Sequence, residues 1–171
     1  IDLYKSKKLH EAEILTKNML LDYPKELILH NLLGAIYIEK KELLKAVNSF
    51  QKAIKIKPNY AESYNNLGNA FRELKKYSDA IACFNKALVI KPNFAEAHNN
   101  LGILFKEQEN LDKAILHYKK SISIKPDMPD SYNNIGNVLK DRGEFDKAIT
   151  NLNKAIEIYP DFVEAHNNIG L

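Results

Sequence analysis

Glycine recurs at Gly34, Gly68, Gly102, Gly136 and Gly170, and proline at Pro24, Pro58, Pro92, Pro126 and Pro160; both series advance by 34 residues with no insertion. Only Gly143 and Pro129 stand outside them. A fixed period of this length means that one small supersecondary block is copied along the chain. Each copy cannot bury its apolar surface alone and so packs on its neighbours. The chain is therefore predicted to fold as an array, and any function has to be sought in a surface that the copies build together.

The copy from Ala61 to Phe94 shows what one block contains. Tyr64, Leu67, Gly68 and Phe71 fall at the i, i+3, i+4, i+7 spacing of one helix face, and Tyr77, Ala80, Ile81, Phe84, Ala87 and Leu88 repeat that pattern. Two amphipathic helices follow, about Ala61 to Leu74 and Ser78 to Ile90, with Lys75–Tyr77 as a tight antiparallel turn. Pro92 has no N–H and disfavours helix at the residue before it, which stops the second helix near Lys91. Asn93 with Glu96 then reads as a capping box, recurring as Asn59 with Glu62, Asp161 with Glu164 and, more weakly, Asp127 with Asp130. Ser78, Asp112 and Asp146 are candidate caps for the second helices. Gly68, Ala80 and Ala87 carry no bulk, so the two backbones can approach while Phe84 fills the space beside them.

These residues resemble the tetratricopeptide repeat family. Its pattern of a large residue, Leu–Gly, an aromatic, and later Ala, Phe, Ala and Pro is filled at all eight places by Tyr64, Leu67, Gly68, Phe71, Ala80, Phe84, Ala87 and Pro92. The resemblance implies an all-α, right-handed α-α superhelix of tandem helix-turn-helix repeats. Their registers are a partial, divergent repeat at 1–26, full repeats at 27–60, 61–94, 95–128 and 129–162, and the opening of another at 163–171. Thr16 and Met19 replace the expected Phe and Ala in the first. With both ends cutting through a repeat, the chain reads as a window on a longer array.

The same resemblance implies that the first helix of each hairpin lines the concave side. In the reference copy the face opposite the core is Glu62, Asn65, Asn66, Asn69, Arg72 and Glu73. Paired asparagines recur as Asn65–Asn66, Asn99–Asn100, Asn133–Asn134 and Asn167–Asn168, with Asn137 matching Asn69. Asparagine inside a helix costs roughly 0.5 kcal/mol relative to alanine, so eight of them call for a reason. An amide offers both a donor and an acceptor and can hold a peptide unit whatever its side chain. The repeats of O-GlcNAc transferase are similar in this feature; by that resemblance Asn66, Asn100, Asn134 and Asn168 form a groove-lining ladder, broken in the first full repeat by Leu32. The alternative, open for Asn65, Asn99, Asn133 and Asn167 and also for the second member of each pair, is that the asparagine ties adjacent repeats together. Arg72, Lys106 and Lys140 form a basic row one turn further on, followed by Glu73, Glu107 and Asp141. The cations of a chaperone-type carboxylate clamp are missing, since Asn31, Asn65, Asn99, Glu62, Glu96 and Asp130 occupy those places.

The first reading of function is accordingly a non-catalytic scaffold that binds a peptide or partner protein. The alternatives are the substrate-recognition arm of a larger transferase, or self-association into a homo-oligomer through open repeat ends. A formal charge of +3 gives no electrostatic reason to expect nucleic acid or a membrane surface. The lone Cys83 cannot form an internal disulfide and favours a reducing, cytoplasmic setting. No cofactor motif or zinc-ligand spacing is present, and His30, His98 and His166 stand at core positions, where packing is expected rather than metal binding. Lys52, Lys86, Lys120 and Lys154 recur on the second helices as a solubilising stripe.

Overall fold

The computed structural model describes residues 3–170, with side chains from residue 6 onward; Ile1, Asp2 and Leu171 lie outside the described residues. Among them are ten helices and no strand: α1 Leu3–Asp22, α2 Leu27–Glu39, α3 Leu43–Ile56, α4 Ala61–Glu73, α5 Tyr77–Ile90, α6 Ala95–Glu107, α7 Leu111–Ile124, α8 Pro129–Asp141, α9 Phe145–Ile158 and α10 Val163–Ile169. From α2 onward each first helix starts 34 residues after the last. No helix among the described residues is long and apolar enough to cross a membrane.

The chain divides into two compact units, one reaching to Pro92 and the other beginning at Asn93. In the N-terminal unit α1 packs on α2, α2 on α3, α3 on α4 and α4 on α5; in the C-terminal unit α6 through α10 pack in the same consecutive way. First helices also touch each other directly, α2 with α4, α6 with α8 and α8 with α10, whereas among the described residues α3 does not reach α5 and α7 does not reach α9. Within each unit the first helices thus share one closely spaced face, and the second helices fan apart behind them.

The hairpins close by a small-on-large contact that recurs in four repeats. A Cβ built on Gly34 would lie 2.4 Å from the Phe50 ring, one on Gly68 2.6 Å from Phe84, one on Gly102 2.4 Å from Tyr118 and one on Gly136 2.6 Å from Leu152. All four large side chains are at most 1% exposed, so the contact is sealed. The core then runs from one hairpin into the next: Leu33, Tyr37, Ala46 and Phe50 join Leu67 and Ala70 of α4, and Ala114 and Tyr118 join Ile135, Val138, Leu139 and Ala148. Apolar burial at the seams is what makes an array cohere.

The helix starts differ from the sequence expectation. Tyr60, Phe94, Met128 and Phe162 are the N-cap residues of α4, α6, α8 and α10, and none makes a side-chain cap hydrogen bond. Asn59, Asn93, Asp127 and Asp161 each sit one residue too early to cap, and the expected capping boxes do not form. The Tyr60 N–H bonds the Lys57 carbonyl across the Pro58 turn at 3.3 Å, which sets the large residue at the half-helical position. At the next repeat this position buries Phe94 to 5% exposure, so packing outweighs a polar cap. Glu62 and Glu96 pair instead with Lys91 at 2.9 Å and Lys125 at 3.7 Å. Ser78, Asp112 and Asp146 likewise lie inside their helices, whose caps are Lys76, Asn110 and Glu144; the Asn110 side chain accepts the Lys113 N–H. The intra-hairpin turns share one geometry: Lys41, Lys75, Glu109 and Gly143 all have φ between 58° and 76°. In the reference copy Lys76 N–H bonds Phe71 O at 2.8 Å and Lys75 N–H bonds Arg72 O at 2.8 Å, closing the helix with a Schellman-type turn. Gly143 is therefore the one copy with the residue that this left-handed conformation favours.

Candidate functional site

Within each unit the shared face of the first helices carries the asparagines, and the two members of a pair have different surroundings. Asn65, Asn99 and Asn133 are buried, at 8%, 6% and 7% exposure. Asn66, Asn100, Asn134 and Asn168 are half-buried. In the C-terminal unit the second asparagine of one repeat reaches back to the first asparagine of the repeat before: Asn134 Nδ2 donates to Asn99 Oδ1 at 3.2 Å, and Asn168 Nδ2 donates to Asn133 Oδ1 at 2.8 Å. Asn99 Oδ1 also accepts from the fully buried Ser131 hydroxyl at 3.1 Å, and Ser131 lies 3.0 Å from Ser121. Polar groups that are buried together in this way must be mutually satisfied, and such bonding holds the helices in register.

The half-buried amides keep capacity in hand. Each has two N–H donors and an acceptor oxygen. Asn134 spends one N–H on Asn99, and its oxygen takes no hydrogen bond among the described residues. In the N-terminal unit the corresponding bond is absent: the Ser63 hydroxyl lies 2.9 Å from the Asn31 amide nitrogen and 3.0 Å from its oxygen, and Asn66 has no side-chain hydrogen bond among the described residues. Asn69 and Asn137 are half-buried on the same face, and Asn69 Oδ1 is a buried acceptor without a partner among the described residues. On α2 the face turns apolar, with Ile28 67% and Leu32 47% exposed where other repeats carry acid and amide.

The charged row behind the amides is partly self-neutralised. Lys106 lies 3.5 Å from Asp141 of the next repeat, and Arg72 lies 3.8 Å from Glu73, which also takes Lys41 at 2.9 Å. Lys140 is exposed and donates to the Asn168 carbonyl at 3.3 Å.

Histidine and cysteine find other uses. His30 Nε2 lies 2.9 Å from the Pro24 carbonyl and His166 Nε2 2.8 Å from the Pro160 carbonyl, so each ring ties a helix to the turn before it. His98 Nδ1 meets His117 Nδ1 at 3.2 Å, with Phe105 stacked on His117. Burial, then the neighbouring His98 and Lys120, hold His117 down to about 4, and burial lowers His98 as well, so at neutral pH both rings are uncharged and one Nδ1 donates its proton to the other. Cys83 is pushed up to about 11, first by burial and then by Asp79, which leaves almost no thiolate at neutral pH. Among the described residues no three histidine, cysteine or acidic side chains come together as a metal site.

Sequence reasoning passed over Ser63 and Ser131, which anchor the asparagine bonds. The signal was there: Ser63–Tyr64 and Ser131–Tyr132 alternate with Ala97–His98 and Ala165–His166, so that the repeats differ in pairs on this face.

The sequence matches the TPR repeat family over residues 34–74, 68–109 and 136–171, and the tetratricopeptide repeat family over 95–128. No curated protein matches it. Among solved structures it is similar to MamA at 26% identity and a TM-score of 0.73, covering 96% of this chain and 98% of that one. It is also similar to a thermophilic TPR protein of Thermus thermophilus, TTC0263, at 18% identity and a TM-score of 0.86 over 98% and 92% of the two chains. YrrB, described as a TPR protein with an unusual peptide-binding site, aligns at 22% identity and a TM-score of 0.68 over 99% and 87%. At such identities the last two speak for the fold alone.

Proposed function

The chain belongs to the tetratricopeptide repeat family, and from that premise we propose that it is a non-catalytic scaffold holding an extended peptide segment of a partner protein against the asparagine face of its first helices. The family builds extended binding surfaces from stacked repeats, and that a TPR protein such as YrrB has a peptide-binding site is in keeping with the reading. The observation that carries it is the state of the second asparagines. Asn134 is fixed by one bond to Asn99 yet keeps an N–H and an oxygen for a guest, and Asn66 has its whole amide in reserve. An amide already held in place loses little freedom when a ligand binds it. Within the N-terminal unit Asn65 and Asn69 stand with Asn66 on this face and Arg72 borders it; within the C-terminal unit Asn100, Asn137 and Asn168 extend the surface of Asn134, Asn99 and Asn133 hold Asn134 and Asn168 in place, and Lys106 and Lys140 border it.

Asn66 separates binding from folding. Asn66→Ala removes no side-chain hydrogen bond among the described residues and improves helix propensity, so its stability is expected to stay level or rise by about 0.5 kcal/mol. Combined with Asn134→Ala, it should weaken a peptide selected from a random display library by roughly tenfold or more, since each lost bond contributes about 0.5–1.5 kcal/mol. Fluorescence anisotropy with the selected peptide measures this. Undiminished affinity in the double variant, with helix content preserved, removes the amide face as the binding surface.

A further inference from the structure

A cavity of about 840 Å³ lies away from the asparagine face, between α1 and α3 over the back of α2. That volume is in the range that small-ligand and side-chain pockets occupy. Its floor is apolar, with Leu20, Leu21, Leu33, Tyr37 and Ile56, and four lysines, Lys17, Lys45, Lys52 and Lys55, stand around it. No carboxylate lines it. Lys17 is paired with Glu13 and Lys45 with Glu42, but Lys52 and Lys55 have no ion pair among the described residues.

The corresponding groove of the C-terminal unit, between α7 and α9, serves as an internal comparison. It holds only about 350 Å³, it carries Glu144 in its own lining, and its Arg142 and Lys147 are paired with Asp112 and Glu144. The repeat architecture alone thus yields a smaller and largely neutralised cleft. The N-terminal groove is larger and electrostatically unbalanced.

One further group in the wall narrows the ligand class. His30, 8% exposed, spends Nε2 on the Pro24 carbonyl, so Nε2 carries the proton and Nδ1 is a bare acceptor; Nδ1 is buried without a partner among the described residues. A rotation of the ring that opened Nδ1 to the groove would let it accept a peptide backbone N–H, whereas an alkyl carboxylate brings no donor. From these three features together we propose that the α1–α3 groove is a second docking site, for an acidic peptide segment that sets bulky apolar side chains on the floor and its carboxylates against Lys52 and Lys55.

The test uses two fluorescein-labelled eight-residue probes, one alternating leucine with glutamate and one alternating leucine with glutamine, in anisotropy titrations with the full chain. The acidic probe is expected to bind at least tenfold more tightly than the neutral one, and less tightly as salt is raised. The double variant Lys52→Glu/Lys55→Glu reverses the charge at two exposed positions, and Asn48→Trp fills the groove from its exposed rim; each should weaken the acidic probe at least tenfold while the far-ultraviolet circular dichroism stays as in the parent. Equal binding of both probes, or no loss in either variant, overturns the proposal. So does octanoate binding in the groove as tightly as the peptide. Loss of the acidic probe in Asn66→Ala/Asn134→Ala, and not in the lysine variant, would assign it to the asparagine face and refute the second site while leaving the first intact.

Discussion

Phe84→Ala is expected to cost about 3–5 kcal/mol, the range for emptying the place of a fully buried aromatic ring. Gly68→Ala should cost about 1–3 kcal/mol by overpacking, because the added methyl would stand 2.6 Å from a ring that has no exposed direction in which to move. The gain in helix propensity, about 1 kcal/mol, offsets only part of this. The informative variant is the double one. With the ring gone, the methyl enters the space that the ring left, so adding Gly68→Ala to Phe84→Ala should be neutral or favourable, and the combined loss should fall short of the sum by about 1–3 kcal/mol. Because arrays of repeats do not always unfold in one step, denaturation midpoints should be read together with amide exchange in α4 and α5. Simple additivity would mean that the glycine is not there to admit the ring. The same logic applies to Gly34 with Phe50, Gly102 with Tyr118 and Gly136 with Leu152.

Glu13 is the second place where a large effect is expected. Its carboxylate is 7% exposed, takes Lys17 at 2.6 Å and the Tyr37 hydroxyl at 3.2 Å, and pairs with Lys40, which joins α1 to α2. The hydrogen bonds from Lys17 and then Lys40 hold it down to about 2, from 4.5. Because the lysines that depress it are partly open to solvent, which screens them, the depression contributes about 1–2 kcal/mol to the docking of α1 above its unfolded value. That contribution is complete above about pH 4.5 and is lost as pH falls towards 2. Lys17 and Lys40 are raised, chiefly by the same carboxylate, so their share is present below 10.5 and goes only in strong alkali. Glu13→Ala should remove about 2–3 kcal/mol at pH 7, softened because Lys40 retains Glu42 at 3.1 Å. Among the described residues α1 packs on α2 alone, so the loss should show as faster hydrogen exchange in α1 rather than as general unfolding. A parent protein whose α1 protection does not change between about pH 5 and 2.5 would contradict this.

The sequence made the hairpins readable because everything inside a repeat is a matter of period. The glycine at one place and the large side chain sixteen residues on, the proline stop and the short turn recur at fixed offsets, and the helices begin where the register puts them. What joins the repeats was harder to read. The Ser131–Asn99 and Asn134–Asn99 bonds span 32 and 35 residues, on either side of the period, and depend on how far one helix is rotated against the next. That Asn65, Asn99 and Asn133 are buried while Asn66, Asn100 and Asn134 are half-buried follows from this rotation and not from composition; Asn167, with no repeat after it among the described residues, is exposed. The caps of α4, α6, α8 and α10 misled for a related reason: a polar residue stands next to each true cap, but the cap position itself is occupied by a large side chain set there by the turn after proline. Glu13 could not be singled out at all, because the divergent first repeat gives no register against which a buried carboxylate stands out.

The central claim is that the half-buried asparagines grip the backbone of a guest peptide. The side-chain amide resonances of Asn66 and Asn134 in a nitrogen-15 labelled chain test it most directly, with exposed Asn85 and Asn153 of the second helices as internal references. On titration with a selected peptide, the Asn66 and Asn134 amide protons should shift and become protected from exchange with water while those of Asn85 and Asn153 stay in place. A peptide that binds and leaves the Asn66 and Asn134 signals unmoved would contradict the account.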